Sequence, residues 1–243
     1  MYHTIVIGGG CLGAAAAISL QRKLNKLGKG DKVCLVEKAV LCAAESSRHS
    51  GIVRSANADP DASIMASMSS KMWKNLSTVW GLDMELDEFG AIWIAKKNSE
   101  GENPAWADLS KRMSKIDLTF QEIDTNSATQ KCGETLLTDE NESYFYEPEA
   151  FQLDPSILRS TLYDAIDENG VVLMEKTEVD TILTKGKEII GITTNNGKLD
   201  AKNFVNATGA WSSQLFSKIG LKIPVTIEPV SVVNWMESPK QIR

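Results

Sequence analysis

The chain has 243 residues, 42% of them hydrophobic and 24% charged, and 26 basic against 32 acidic side chains give a formal net charge of −6. This is the composition of a globular protein able to bury one large or two ordinary cores, and a mildly acidic surface argues against a nucleic-acid partner. No apolar run approaches the ~18 residues of a membrane span, and the amino end lacks a basic segment followed by an apolar stretch and a cleavage site.

A cytoplasmic chain without a transmembrane segment is therefore expected. With His3 and His49 the only histidines, no protein metal site is expected. Cys11, Cys34, Cys42 and Cys132 show no C-x-x-C pairing, and three of them lie in apolar segments, which predicts small buried thiols in a reducing compartment.

In chain order, the first predicted strand holds Ile5, Val6 and Ile7 and runs into "GGGCLGAAAA". Gly8, Gly10 and Gly13 fall at G-x-G-x-x-G spacing. The first glycine permits a tight turn, the second lets the backbone approach a pyrophosphate, and the third lets the helix lie close on the strand. Free N–H groups and the positive end of the helix dipole then face the anion. The helix stops at Gly28 and Gly30, and "KVCLVEK" forms a second strand ending at Glu37, 24 residues after Gly13. A carboxylate there accepts hydrogen bonds from ribose hydroxyls and repels a 2′-phosphate, which disfavours NADP.

The segment 43–60 combines small residues, two serines, an Arg-His pair and Gly51, a composition suited either to an ordinary polar loop or to close passage along a flat ligand. Ile64, Met68, Met72, Leu76 and Val79 then follow a helical spacing from Asp61 to about Gly81, with a core-facing apolar stripe expected. Met84–Lys97 reads as strand and turn, and helices are expected near Ala105–Ser114 and Thr125–Cys132. The polar, acidic stretch 98–149 breaks the α/β rhythm, which predicts an inserted domain.

The rhythm resumes with a helix capped by Asp154, with Pro155 at its first position and Gly170 beyond its end. A strand at Val171–Met174, a hairpin-like meander from Glu178, and a buried strand in "FVNATGAW", Phe204–Trp211, complete the series. The last ends in small residues at the carboxyl edge of a parallel sheet, where ligands bind in such folds.

The ordered set "IVIGGGCLGAAAA", "VCLVEK", "SSRHSGIVRS", "FQLDPSILRSTL", "EVDTI", "VNATGAWS" and "LKIPVTIEPV" resembles the D-amino-acid oxidase superfamily of FAD-dependent oxidoreductases. The likeness is to its glycine oxidase, sarcosine oxidase and dye-linked L-proline dehydrogenase branch, with a looser match in the middle of the chain. The resemblance implies an α/β fold: a Rossmann-like FAD-binding domain of the GR2 type with a partial α+β substrate domain. The implied boundaries are 1–60 and 150–223 for the FAD-binding domain, with 61–149 and 224–243 for the substrate domain.

It further implies that Gly8, Gly10 and Gly13 hold the FAD pyrophosphate and Glu37 the adenosine ribose, with Lys38 beside it. Ser46, Ser47, Arg48, Ser50, Gly51, Ile52 and Val53 match the loop along the diphosphate, ribityl chain and flavin ring. Val179 matches the position whose backbone meets the adenine, and Ala207, Thr208, Gly209 and Trp211 match the strand end under the cofactor. The implied reaction oxidises a C–N bond next to a carboxylate, with hydride passing to flavin N5 and no strong side-chain base required.

His49 and Arg54 are the catalytic candidates, as polar partner or carboxylate anchor, against a plainer structural role for each; a covalent flavin link through His49 is conceivable within the resemblance. The implied partners are a small amino-acid or amine substrate and an electron acceptor that the sequence does not identify. Relatives of this kind continue well past "IPVTIEPVSVVNWME", so roughly 100 or more residues are expected to be missing or supplied by a partner subunit. Oxidation of a 2-hydroxy acid, a flavin-binding subunit that needs a partner, and an NAD-binding oxidoreductase stay open as alternatives.

Overall fold

The computed structural model describes residues 1–57, 59–76, 80, 82, 84–97, 102–132 and 136–228. In chain order, β1 (Tyr2–Ile7), α1 (Cys11–Lys26) and β2 (Val33–Val36) are followed by β3 (Ile52–Val53), α2 (Pro60–Lys74), β4 (Ala91–Lys96), α3 (Glu102–Ser114), β5 (Gln121–Ile123) and α4 (Thr125–Lys131). Then come β6 (Glu142–Glu147), β7 (Phe151–Gln152), α5 (Pro155–Asn169), β8 (Val172–Met174), β9 (Val179–Lys185), β10 (Glu188–Thr194), β11 (Gly197–Leu199), β12 (Ala201–Asn206) and α6 (Ser212–Ser217). The described residues divide into two compact units, Met1–His49 with 155–228, and Ser50–Asp154.

In the first unit β12, β1, β2 and β8 form, in that order, a parallel sheet. Every residue of β2 and the last four of β1 are buried, as expected of central strands covered on both faces. Helix α1 packs against β1, β2 and α5. It can do so because Gly13, Ala14 and Ala17 on its buried face carry almost no side chain. Gln21, wholly buried on the same face, donates to the Asp31 carbonyl at 3.2 Å and accepts the Val33 N–H at 2.7 Å, fixing the loop from helix to strand. Gly28, at φ +64°, ends α1, and the Lys29 N–H turns back to the Leu24 carbonyl at 3.1 Å. Ile5, Ile7, Cys34 and Val36 share a core with Ile182, Ile192, Leu215 and Phe216, so the antiparallel sheet β9–β10–β11 and helix α6 supply the opposing apolar surface. Strand β12 lies at the sheet edge and is half exposed, not buried as its apolar sequence predicts.

In the second unit β4, β6 and β5 form an antiparallel sheet in the order β4–β6–β5, and α3 packs on β4. Trp93, Trp106, Phe120 and Phe145 cluster there, with Phe120 and Phe145 stacked at 5.4 Å between ring centroids. Ile52–Val53 pairs with Phe151–Gln152, and the Leu153 N–H donates to the Gly51 carbonyl at 3.1 Å. That ribbon draws Ser50–Val53 and the residues up to Asp154 into this unit, whereas the sequence places boundaries at 60 and 149.

Helix α2 begins at the Asp59 cap, whose carboxylate accepts the Ala62 N–H at 2.8 Å. Of its expected apolar stripe, Leu76 just past the helix is buried, but within the helix that side is exposed. Ile64, Met65, Met68 and Met72 are exposed, while Ser63, Ser67 and Ser70 are buried. The small serine side chains admit close packing, and the helix is rotated accordingly; Val79 and Gly81 lie outside the described residues. No described helix is long and apolar enough to cross a membrane.

Candidate nucleotide-binding cleft

A cleft of about 350 Å³ opens in the first unit at the carboxyl ends of β1, β2 and β12. Gly8, Gly10, Glu37, Lys38 and Ser46 line one part of it, and Val179, Ala207, Thr208, Gly209 and Trp211 line another. Residues 133 or more positions apart in sequence thus meet because β1 is the shared neighbour of β2 and β12.

The glycines are required sterically. Gly8 has φ +107°, and a Cβ there would lie 2.3 Å from the Ala207 carbonyl oxygen. At Gly13 a Cβ would lie 1.9 Å from the Gly8 carbonyl oxygen, so Gly13 shapes the turn without lining the cleft. Gly10 caps α1 with no side-chain hydrogen bond, and the first turn holds no acid. The positive end of a 16-residue helix is therefore offered to the cleft.

Gly9, absent from the sequence motif, is equally constrained. A Cβ there would come within 2.8 Å of Glu37 Cβ, and its N–H donates to Glu37 Oε2 at 2.7 Å. The Ala39 N–H binds Glu37 Oε1 at 2.8 Å. Each carboxylate oxygen keeps a further lone-pair direction for a hydroxyl donor. The Thr177 N–H holds the Glu37 carbonyl at 2.9 Å, and Glu175 accepts the Leu41 N–H at 2.7 Å as well as the Tyr163 hydroxyl. These supports from the far side of the chain carry no sequence signature.

Lys38 Nζ stands 3.7 Å from the centroid of the Trp211 ring, so a cation and an aromatic face border the cleft together. The Thr208 hydroxyl and N–H both bind Asn206 Oδ1, at 2.6 and 3.1 Å. With Gly209 at φ +51°, they form the compact turn after β12.

The expected flavin loop is only partly gathered here. Ser46 Oγ accepts the Cys11 N–H at 3.0 Å, and His49 Nε2 lies 3.1 Å from the Ser46 carbonyl. Ser47 and Arg48 turn their amides to the Ala44 and Glu45 carbonyls, both at 3.1 Å, and do not line the cleft. Ser50, Gly51, Ile52 and Val53 belong to the second unit, as does Arg54.

Arg54 donates to the Ala56 carbonyl at 2.5 Å and stacks 4.5 Å from the Trp93 ring centroid. Beside it Glu147, 1% exposed, accepts the Ser55 and Ala56 N–H groups at 2.5 and 3.1 Å and Trp93 Nε1–H at 3.2 Å. Burial pushes the Glu147 carboxyl above the usual carboxylate range, while those donors and Arg54 pull the other way. Sequence reading passed over Glu147 because an acid at a strand end ordinarily signals solvent.

The cysteines also depart from expectation. Cys34 and Cys42 are buried, but Cys11 is half-buried and lines the cleft.

The glycine-built turn, the open helix end and the acid beside them fit the adenosine diphosphate portion of a dinucleotide. Known proteins agree: residues 3–241 match the family described as DAO, FAD dependent oxidoreductase. Glycine oxidase of Pseudomonas putida is 24% identical over 236 residues, covering 94% of this chain and 60% of that protein. The mitochondrial pyruvate dehydrogenase phosphatase regulatory subunit of Mus musculus is 24% identical over 213 residues, covering 88% of this chain and 23% of that protein. Among solved structures, L-proline dehydrogenase from P. horikoshii superposes with a TM-score of 0.80 at 24% identity, over 94% of this chain and 58% of that one. The chain spans less than two thirds of each of these relatives, and the structural likeness establishes a shared fold.

Proposed function

This chain belongs to the DAO family of FAD-dependent oxidoreductases, and from that premise we propose that it serves oxidation of the C–N bond of an amino acid or secondary amine. The observation that carries the reading is the start of α1, which has no capping side chain at Gly10 and no acid in its first turn, set in glycines beside Glu37. Bound FAD would supply the redox chemistry, as the acceptor of a hydride from the substrate carbon.

The residues have assigned parts. Gly8 and Gly10 expose backbone to the two phosphates, and Gly13 keeps the turn tight. Glu37 receives the ribose hydroxyls, Lys38 and Trp211 border the nucleotide, and the Val179 backbone meets the adenine. Ala207, Thr208 and Gly209 form the floor, and Ser46 borders the nucleotide at the start of α1. Arg54 anchors the substrate carboxylate, since its planar guanidinium has five N–H donors and the Ala56 carbonyl takes one. His49 is a polar neighbour. Neither acts as a strong base, because an amine that binds unprotonated needs none.

Mass analysis of the cofactor released on denaturing the purified chain tests the binding claim: FAD is expected, and a nicotinamide dinucleotide would overturn it. Turnover of proline, sarcosine or glycine, with none of 2-hydroxyglutarate, is the expected substrate pattern; the reverse pattern assigns a 2-hydroxy acid instead. A second reading is a flavin-binding subunit completed by a partner chain. The regulatory subunit among the relatives supports it, and FAD release without turnover of any of the four compounds would favour it.

A further inference from the structure

The glycine-rich turn holds two thiols that dinucleotide binding does not use. Cys11 opens α1 and faces the cleft, and its N–H is held by Ser46 Oγ at 3.0 Å. Cys42 is 1% exposed, has φ +56°, and its N–H donates to the Gly9 carbonyl at 2.8 Å. Both cysteines therefore hang from the same turn, one at the helix start and one bonded to the Gly9 carbonyl beside it, and their thiols are free of disulfides.

We propose that Cys11 and Cys42 form a peroxide-reactive pair, in which the accessible Cys11 is oxidised and the buried Cys42 resolves it into a disulfide beneath the nucleotide cleft.

The chemistry balances with hydrogen peroxide as oxidant. The Cys11 thiolate attacks one peroxide oxygen, the O–O bond breaks, and hydroxide leaves, giving a sulfenic acid on Cys11. The Cys42 sulfur then attacks the Cys11 sulfur, an S–S bond forms, and the hydroxyl departs as water with the Cys42 proton. Two electrons leave the pair, and one peroxide becomes two waters overall.

The surroundings assign the roles. The neighbouring Cys42 thiol holds the Cys11 thiol below the usual thiol range, against its desolvation and helped by Ser46 and by His49. Cys11 in turn pushes the Cys42 thiol up, with burial and the Glu37 charge adding to it and Arg159 opposing. The amino end of α1 further favours an anion on Cys11. Cys34 is the internal contrast: burial pushes its thiol up to about 12.

A thiolate on Cys11 and the phosphates of a nucleotide would compete for one helix end. Bound FAD is therefore expected to suppress Cys11 reactivity, a consequence that rests on the cofactor reading above.

The test uses the whole chain. After treatment with hydrogen peroxide, the intact protein should lose two hydrogens, and peptide mapping should return Cys11 joined to Cys42. Cys42→Ser should instead carry a dimedone adduct on Cys11, and Cys11→Ser should give neither product. In untreated wild type, iodoacetamide should label Cys11 about tenfold faster than Cys132 at neutral pH, and Cys11 should keep its reactivity to lower pH than Cys132 does. Equal labelling of Cys11 and Cys132 with no cross-linked peptide overturns the proposal, whether or not the chain binds FAD. Cross-linking in a chain that takes up no FAD upholds the pair and defeats the cofactor reading instead. Where FAD does bind, saturation should slow Cys11 labelling about tenfold.

Discussion

Glu37 and Glu147 are both acids at strand ends, and their surroundings give them opposite duties. Glu37 borders the cleft, where its two oxygens also hold the Gly9 and Ala39 amides. Glu37→Ala is expected to weaken FAD binding about 10- to 100-fold, the scale of one or two charge-assisted hydrogen bonds; flavin fluorescence titration measures it. Glu147 is buried, and burial holds its proton more tightly in the folded state than in the unfolded chain. Proton uptake therefore contributes stability that is full below the unfolded carboxyl value and is lost as pH rises through the raised folded one. Wild type should gain Tm relative to Glu147→Gln on going from pH 7 to about pH 4, and parallel Tm profiles for the two proteins would refute the assignment. The sequence made Glu37 legible because an acid closing the second strand of a βαβ unit has one familiar use. It left Gly9 and Glu147 hidden because their constraints come from atoms 28 and 92 positions away.

Among the elements, β1, α1 and β2 were legible because β-branched runs and a small-residue helix signal themselves locally. Helix α2 was legible in place but not in orientation, since spacing marks an apolar face without saying which face a small-residue neighbour will win. Strand β12 read as buried from its composition, yet pairing order alone sets it at an edge. The aromatic cluster on β4 and β6 came from a stretch with weak periodicity, where strand register, not spacing, brings Trp93 opposite Phe145. Phe120, 2% exposed between Trp93, Trp106 and Phe145, fills that cluster. Phe120→Ala should cost about 3–5 kcal/mol, read as a lower urea midpoint in tryptophan emission with loss of the near-ultraviolet aromatic signal.

For the molecule as a whole, the order of motifs carried the family and the polar stretch announced an inserted unit, but its boundaries at Ser50 and Asp154 follow a two-residue ribbon that no composition shift marks. A ligand that binds only the folded state stabilises it by mass action, so FAD at 100 times its dissociation constant should add about 2.7 kcal/mol and raise Tm by roughly 5–10 °C. Differential scanning fluorimetry with and without FAD checks this, and Glu37→Ala should need a higher FAD concentration for the same rise. Any stabilisation of equal size by NADP alone would contradict the nucleotide assignment.

The contact between Gly13 and the Gly8 carbonyl has a consequence for how quickly a nucleotide can be captured. Glycines are the freest residues in an unfolded chain, and immobilising them is costly in entropy. Here that loss is incurred during folding, because helix and strand already press the turn into one shape. An arriving diphosphate meets amides that have nothing left to rearrange, so encounter and desolvation, not loop ordering, should set the pace of its capture.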